Sequence, residues 1–191
     1  MNTPTHSLIA LALLAKKGER KRNIAVFLGS LIPDLAIFLW APYQSIVNGV
    51  KSDELWGELY LQAPMQNLIA WFNSVPIYGV LALIGFLARK FLFGKLLLVF
   101  SLAALLHIAT DLPVHADDAY RHFWPITDWR YFSPLSYWDS DYHARWVALV
   151  EIFIACLCIV FLWRRFPKLW IKITLGVVSI FYGLLIAFII L

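Results

Sequence analysis

Residues 96–112 read LLLVFSLAALLHIATDL. The run matches the roughly 17–25 apolar residues that carry a helix across a bilayer. Its two ionisable groups are His107 and Asp111. They stand four apart, so on a helix they share one face, one turn from each other. Such groups inside an apolar span are costly unless they are paired, hydrated or bound to an ion, and by default they point to function.

Working outward, further apolar runs cover residues 24–42, 67–88, 146–163 and 169–190. A shorter one, 5–15, is too short to cross alone and reads as a short first helix, with Thr3 or Thr5 as its N-cap. The composition agrees. Of 191 residues, 61% are hydrophobic and 15% charged, with a mean hydropathy of +0.73. A soluble domain usually has about a quarter charged residues. The expectation is an all-α, polytopic transmembrane bundle of five to six helices, one integral membrane domain over residues 1–191. Cys156 and Cys158, two apart in an apolar run, point in different directions on a helix and read as packing residues.

The net charge of +4 does not indicate a nucleic-acid partner, because of where the charges fall. Lys16, Lys17, Arg20, Lys21 and Arg22 form one cluster, Arg89, Lys90 and Lys95 a second, and Arg164, Arg165, Lys168 and Lys172 a third. All lie beside helix ends, where topology signals and contacts with membrane lipid headgroups are the natural reading. The first cluster follows its apolar run instead of preceding it, which argues against a signal peptide. Alternating the helices puts all three clusters on one side, which the positive-inside rule assigns to the cytoplasm of a bacterial inner membrane. Residues 43–66 and 113–145 then form outer loops. The first, with Leu55, Trp56, Leu59 and Tyr60, suits a short interfacial helix. The second is a structured loop carrying His115, Asp117, Asp118 and His122 among many aromatic residues.

His6 and Asp34 join His107 and Asp111 as ionisable residues within apolar segments. Counted from the basic boundary of each helix, His6, Asp34 and His107 all lie roughly 15 Å deep at about 1.5 Å per residue. Asp111 is one turn nearer the outer surface. Four groups from three helices therefore fall into one layer. Imidazoles and carboxylates are the ligands zinc and related divalent ions prefer. Pro33, just before Asp34, should disturb its helix and free backbone groups that must be satisfied inside the protein. A divalent metal site, a helix-joining hydrogen-bond network and a proton relay are all open on this reading.

The ordered motifs Thr5-His6-Ser7, Leu28-Gly29-Ser30-Leu31-Ile32-Pro33-Asp34 and Leu106-His107-Ile108-Ala109-Thr110-Asp111 resemble the membrane-bound metal-dependent hydrolase family. They are also similar to small zinc-dependent phospholipase C-like proteins. Phe123-Trp124-Pro125 and Trp129-Arg130-Tyr131 continue the resemblance, which spans most of residues 5–139. It implies His6, Asp34, His107 and Asp111 as metal ligands or their partners. One departure stands out. Where that family carries an H-R-G-x-T-H-S segment, this chain has Trp71-Phe72-Asn73-Ser74-Val75-Pro76, with no histidine, and Asn73 offers an amide oxygen in its place.

The function expected is a metal-dependent hydrolase acting on a lipid or lipid-linked phosphoester at the outer face. His115, Asp117, Asp118 and His122 would supply further ligands or general acid–base groups. Arg121 and Arg130, with Asn73, would meet the substrate, since guanidinium geometry suits phosphate. The alternative is a non-enzymatic membrane protein, a metal or ion transporter or a scaffold, built on a buried His/Asp network.

Overall fold

Two interrupted spans, side by side, give the bundle its functional geometry. In the computed structural model, which describes residues 1–190, nine α-helices and no strand occur among the described residues. Helix α1 covers Thr3–Leu14 and α2 Arg20–Leu31. Pro33 then enforces a 3₁₀ turn over Ile32–Asp34 before α3, Leu35–Pro42. Short helical turns follow at Tyr43–Val47, Ser52–Glu54 (α4) and Leu55–Leu59. Helix α5 spans Ala63–Phe72 and α6 Val75–Leu87. The long helices α7 (Leu92–Asp111), α8 (Ala144–Arg165) and α9 (Leu169–Ile190) complete the chain.

Five helical stretches are long and apolar enough to cross a membrane: Arg20–Val47, Ala63–Leu87, Leu92–Val114, Ala144–Arg165 and Leu169–Ala187. The helical membrane bundle read from the sequence is thus present. Its helices run further into the basic segments than apolarity alone foretold, because Arg and Lys are good helix formers whose long stems cover apolar surface. With 12 residues, α1 is about 18 Å long and does not span alone. Neither Thr3 nor Thr5 caps it. Asn2 holds the N-cap position, and both threonine hydroxyls go instead to carboxylates, Thr3 to the half-buried Asp34 and Thr5 to the buried Glu151.

Helix α7 is the central element, packed along α2 and α6, while α1 lies against α2, α7 and α8, and α9 leans on α8. Gly29 sets the α2–α7 spacing. A Cβ there would fall 2.1 Å from the Phe100 carbonyl oxygen, so only glycine lets these backbones approach and bring Asp34 beside α7. Gly85 does the same for α6 against α7, where a Cβ would meet Leu98 N at 2.5 Å.

The span read as 67–88 is broken at Asn73–Ser74, where Ser74 turns extended with ψ of 115°. The ends at the break are satisfied. Ser74 Oγ accepts from Ile77 N–H at 3.2 Å, Tyr78 OH donates to the Phe72 carbonyl at 3.0 Å, and Val75 N–H donates to the His122 carbonyl at 2.8 Å. Asn73 ties this break to the other one, its side-chain amide donating to the Pro33 carbonyl at 3.0 Å. Backbone freed inside an apolar environment needs such partners.

The loop 113–145 is ordered by its own hydrogen bonds. Ser133 N–H donates to the His115 carbonyl at 3.0 Å and Tyr137 N–H to the Val114 carbonyl at 3.1 Å. In the 43–66 segment, Leu55 is buried and Trp56 packs with Trp40 and Tyr60.

Candidate metal centre

Helices α1 and α7 and the α2–α3 turn bring His6, Asp34, His107 and Asp111 together. His6, His107 and Asp111 are buried and offer ligand atoms within 4.8 Å of one another, close enough to hold one metal ion. Asp111 Oδ1 lies 3.0 Å from His6 Nε2, and its Oδ2 lies 3.3 Å from His107 Nε2. Asp34 Oδ1 reaches that same His107 nitrogen at 3.4 Å. The two imidazoles stack with centroids 3.7 Å apart. A cationic group, the Met1 amino nitrogen, also stands 2.8 Å from Asp111 Oδ1.

The acceptors around each ring decide which nitrogen carries the proton. His107 Nδ1 is 2.7 Å from the Ser30 carbonyl oxygen, which can only accept, so Nδ1 is the protonated nitrogen. Nε2 is then buried with no hydrogen-bond partner among the described residues, facing two carboxylates. His6 repeats the pattern. Its Nδ1 meets Thr110 Oγ1 at 2.8 Å, and that hydroxyl sits 3.0 and 2.9 Å from the Leu106 and His107 carbonyls, where its hydrogen is used. With both rings neutral, their Nε2 lone pairs point at carboxylate oxygens. A divalent cation among them, or a second proton on a ring, resolves that conflict, and anchoring Nδ1–H to a second acceptor is how ligating histidines are oriented. The donor set fits zinc-like ions.

The loop adds His115, Asp118 and His122. His115 Nε2 lies 3.5 Å from Asp111 Oδ1, while its Nδ1–H donates to Asp118 Oδ2 at 2.9 Å. Burial works against a charge on this imidazole, but Asp111 and Asp118 outweigh it and hold its pKa up at about 9. Burial also opposes ionisation of Asp118, yet the His115 pair and the Trp138 indole N–H keep its carboxyl below the usual range. His122 donates Nδ1–H to the Asn73 carbonyl at 3.1 Å, and burial lowers its pKa. Tyr120, tilted against His115 with centroids 4.4 Å apart, is held a neutral phenol by burial.

Other candidates fall elsewhere. Asp117 is exposed and makes no hydrogen bond among the described residues. Arg121 pairs with Asp128 at 2.8 Å and Asn67 at 2.6 Å, and Arg130 donates to the Ala119 carbonyl at 2.6 Å and Gln66 at 3.1 Å. These guanidinium groups brace the loop. Asn73 is buried with both amide donations made to backbone carbonyls, leaving Oδ1 without a partner. Sequence reasoning passed over the orienting groups Ser30 and Thr110. It also left Glu151 unplaced; that carboxylate accepts from Thr5 Oγ1 at 2.6 Å and Asn2 N–H at 2.9 Å, and Thr5 continues to Tyr182. Hydroxyl and carbonyl partners leave no pattern in a sequence, although a buried acid such as Glu151 does.

Comparison with protein-family models, curated proteins and solved structures finds no match to the chain.

Proposed function

We propose that the protein is a membrane-embedded, metal-dependent hydrolase acting on a lipid or lipid-linked phosphoester, and that the basic ends of its helices lie in the cytoplasm of a bacterial inner membrane. The observation that carries this reading is His107, whose Nδ1–H is committed to Ser30 while its partnerless Nε2 faces Asp34 and Asp111. His6, His107 and Asp111, with Asp34 beside them, would hold a divalent ion, zinc by the chemistry of the donors. Such an ion supplies Lewis acidity and an activated water near neutral pH.

The chain's own residues would do the rest. Next to the ligand Asp111, His115 has its far nitrogen fixed by Asp118, an arrangement that suits proton transfer to or from a reacting group. His122 and the unpartnered Asn73 Oδ1 line the broken helix beside it and would orient a polar substrate group. A site at this depth favours a substrate that reaches it from the lipid phase.

The test is metal content by elemental mass spectrometry on detergent-purified protein, wild type beside His107→Asn and Asp111→Asn. Near-stoichiometric zinc or manganese in wild type, lost in both variants, supports the reading and justifies assaying lipid phosphoesters. Well-folded wild type that takes up no metal after loading overturns it. A non-enzymatic packing network would then be the better account, favoured by the hydrogen bond Thr3 gives Asp34 and the amino group beside Asp111.

A further inference from the structure

We propose that the basic end of the bundle holds one anionic phospholipid, its phosphate against Lys17, Arg20 and Lys168 and an acyl chain in the groove between α2 and α9. The groove is independent of the His–Asp cluster. Its floor residue Ala15 lies nine residues after His6, about 13 Å further along the chain at the helical rise.

A groove of about 840 Å³ opens there, within the range of about 300–1,000 Å³ that holds sizeable ligands. One wall is the stripe Arg20, Ile24 and Phe27 of α2, and the other is Trp170, Thr174 and Leu175 of α9. Each set recurs at helical spacing, so each is one continuous face. Leu175 is buried against α1 and α8 at the base of the groove, while the outer parts of both faces stay open. Ile24 and Trp170 remain 46% and 64% exposed, which leaves apolar surface for an alkyl chain to cover.

The polar end of the groove is built. Lys16 N–H donates to Asn23 Oδ1 at 2.8 Å, and the Asn23 amide donates back to the Lys16 carbonyl at 2.9 Å. Arg22 Nε donates to the Leu14 carbonyl at 2.9 Å. This clasp folds the connection between α1 and α2 so that Lys17 stands at the groove with Arg20. Lys168 enters from the start of α9. None of the three makes an ion pair among the described residues, so three positive charges converge on one apolar slot. The ligand that complements both is an amphiphile with an anionic head, and basic pockets between membrane helices hold such headgroups. A zwitterionic lipid brings an ammonium that opposes the cluster.

Native mass spectrometry of the full chain in detergent, titrated with phosphatidylglycerol and phosphatidylcholine of matched chains, tests this. Phosphatidylglycerol should bind one per protein and about tenfold tighter or more. The preference should vanish in the triple variant Lys17→Gln/Arg20→Gln/Lys168→Gln. Thr174→Trp fills the groove from an exposed position and leaves the charges intact, and should weaken binding of both lipids. Equal binding of the two lipids by wild type overturns the proposal, and that comparison needs no variant to fold. So does a triple variant that keeps the preference, or a Thr174→Trp protein that binds as wild type does. Bound metal, unchanged in these variants, would show that the rest of the bundle is intact.

Discussion

His107 and Ser30, 77 residues apart, are joined by a 2.7 Å hydrogen bond from the ring Nδ1–H to a backbone carbonyl. That bond keeps the proton on Nδ1 and sets the plane of the imidazole. In His107→Asn the amide nitrogen takes the place of Nδ1 while the Nε2 position is left empty. The variant should fold and bind metal at least about 100-fold more weakly than wild type, since even loss of an orienting partner costs about 10–100-fold. Equilibrium dialysis against zinc measures it. Wild-type affinity in this variant would remove His107 from the ligand set.

Chelation should destabilise the protein. With no ion, Asp111 between the two rings and Asp34 beside His107 lose a shared cation, and the stabilisation from ligand binding is lost. That stabilisation is about 3–4 kcal/mol at 100–1,000 times the dissociation constant. For a chain of this size the melting temperature should fall by about 5–15 °C. Thermal unfolding in detergent, with and without a chelator, reads this directly, and identical curves for metal-loaded and chelated protein would count against a structural ion.

Helix α1 is tied to α8 through Glu151, which accepts from Asn2 N–H and Thr5 Oγ1. Replacing it by Ala leaves the half-buried Asn2 N–H without its acceptor and Thr5 Oγ1 with Tyr182 alone, at a cost of about 1–3 kcal/mol for an unsatisfied group. Glu151→Gln keeps an acceptor oxygen and should retain most of the stability. Because His6 follows Thr5 directly, Glu151→Ala should also weaken metal binding. Melting curves and dialysis on the pair of variants decide the matter; equal behaviour of Gln and Ala would mean that Glu151 is not an anchor.

Gly29→Ala should be severe, because its Cβ would overlap the Phe100 carbonyl oxygen at 2.1 Å. Overpacking of this kind costs about 1–3 kcal/mol or more. It should separate α2 from α7, moving Asp34 away from His107. Gly79→Ala is the control, with nothing within 4 Å of the added carbon, and it should be neutral or slightly stabilising. Similar melting temperatures for the two would refute the close-approach role of Gly29.

Much of the site was legible because depth and periodicity are one-dimensional. His107 and Asp111 declare a shared face by their spacing, and the basic clusters supply the zero from which His6 and Asp34 are measured to the same layer. Pro33 likewise announced the turn that presents Asp34. What stayed hidden depends on chain segments meeting. The break at Asn73–Ser74 sits in an apolar run and is completed by a loop residue, His122, almost fifty positions later. The basic residues Arg121 and Arg130 read as phosphate partners, yet both are engaged in holding the loop. Asp117 looks like its neighbour Asp118 in sequence, and only the fold separates an exposed acid from one that orients His115.

The junction between α5 and α6 has a consequence in time. Val75 N–H finds its partner at His122, 47 residues further along. A ribosome adding about 5–20 residues per second needs about 2–9 s to supply that partner. During this interval the start of α6 is in place without its lid. The open end must therefore be held in water or by the insertion machinery, and the bundle closes only when the segment containing His122 folds back.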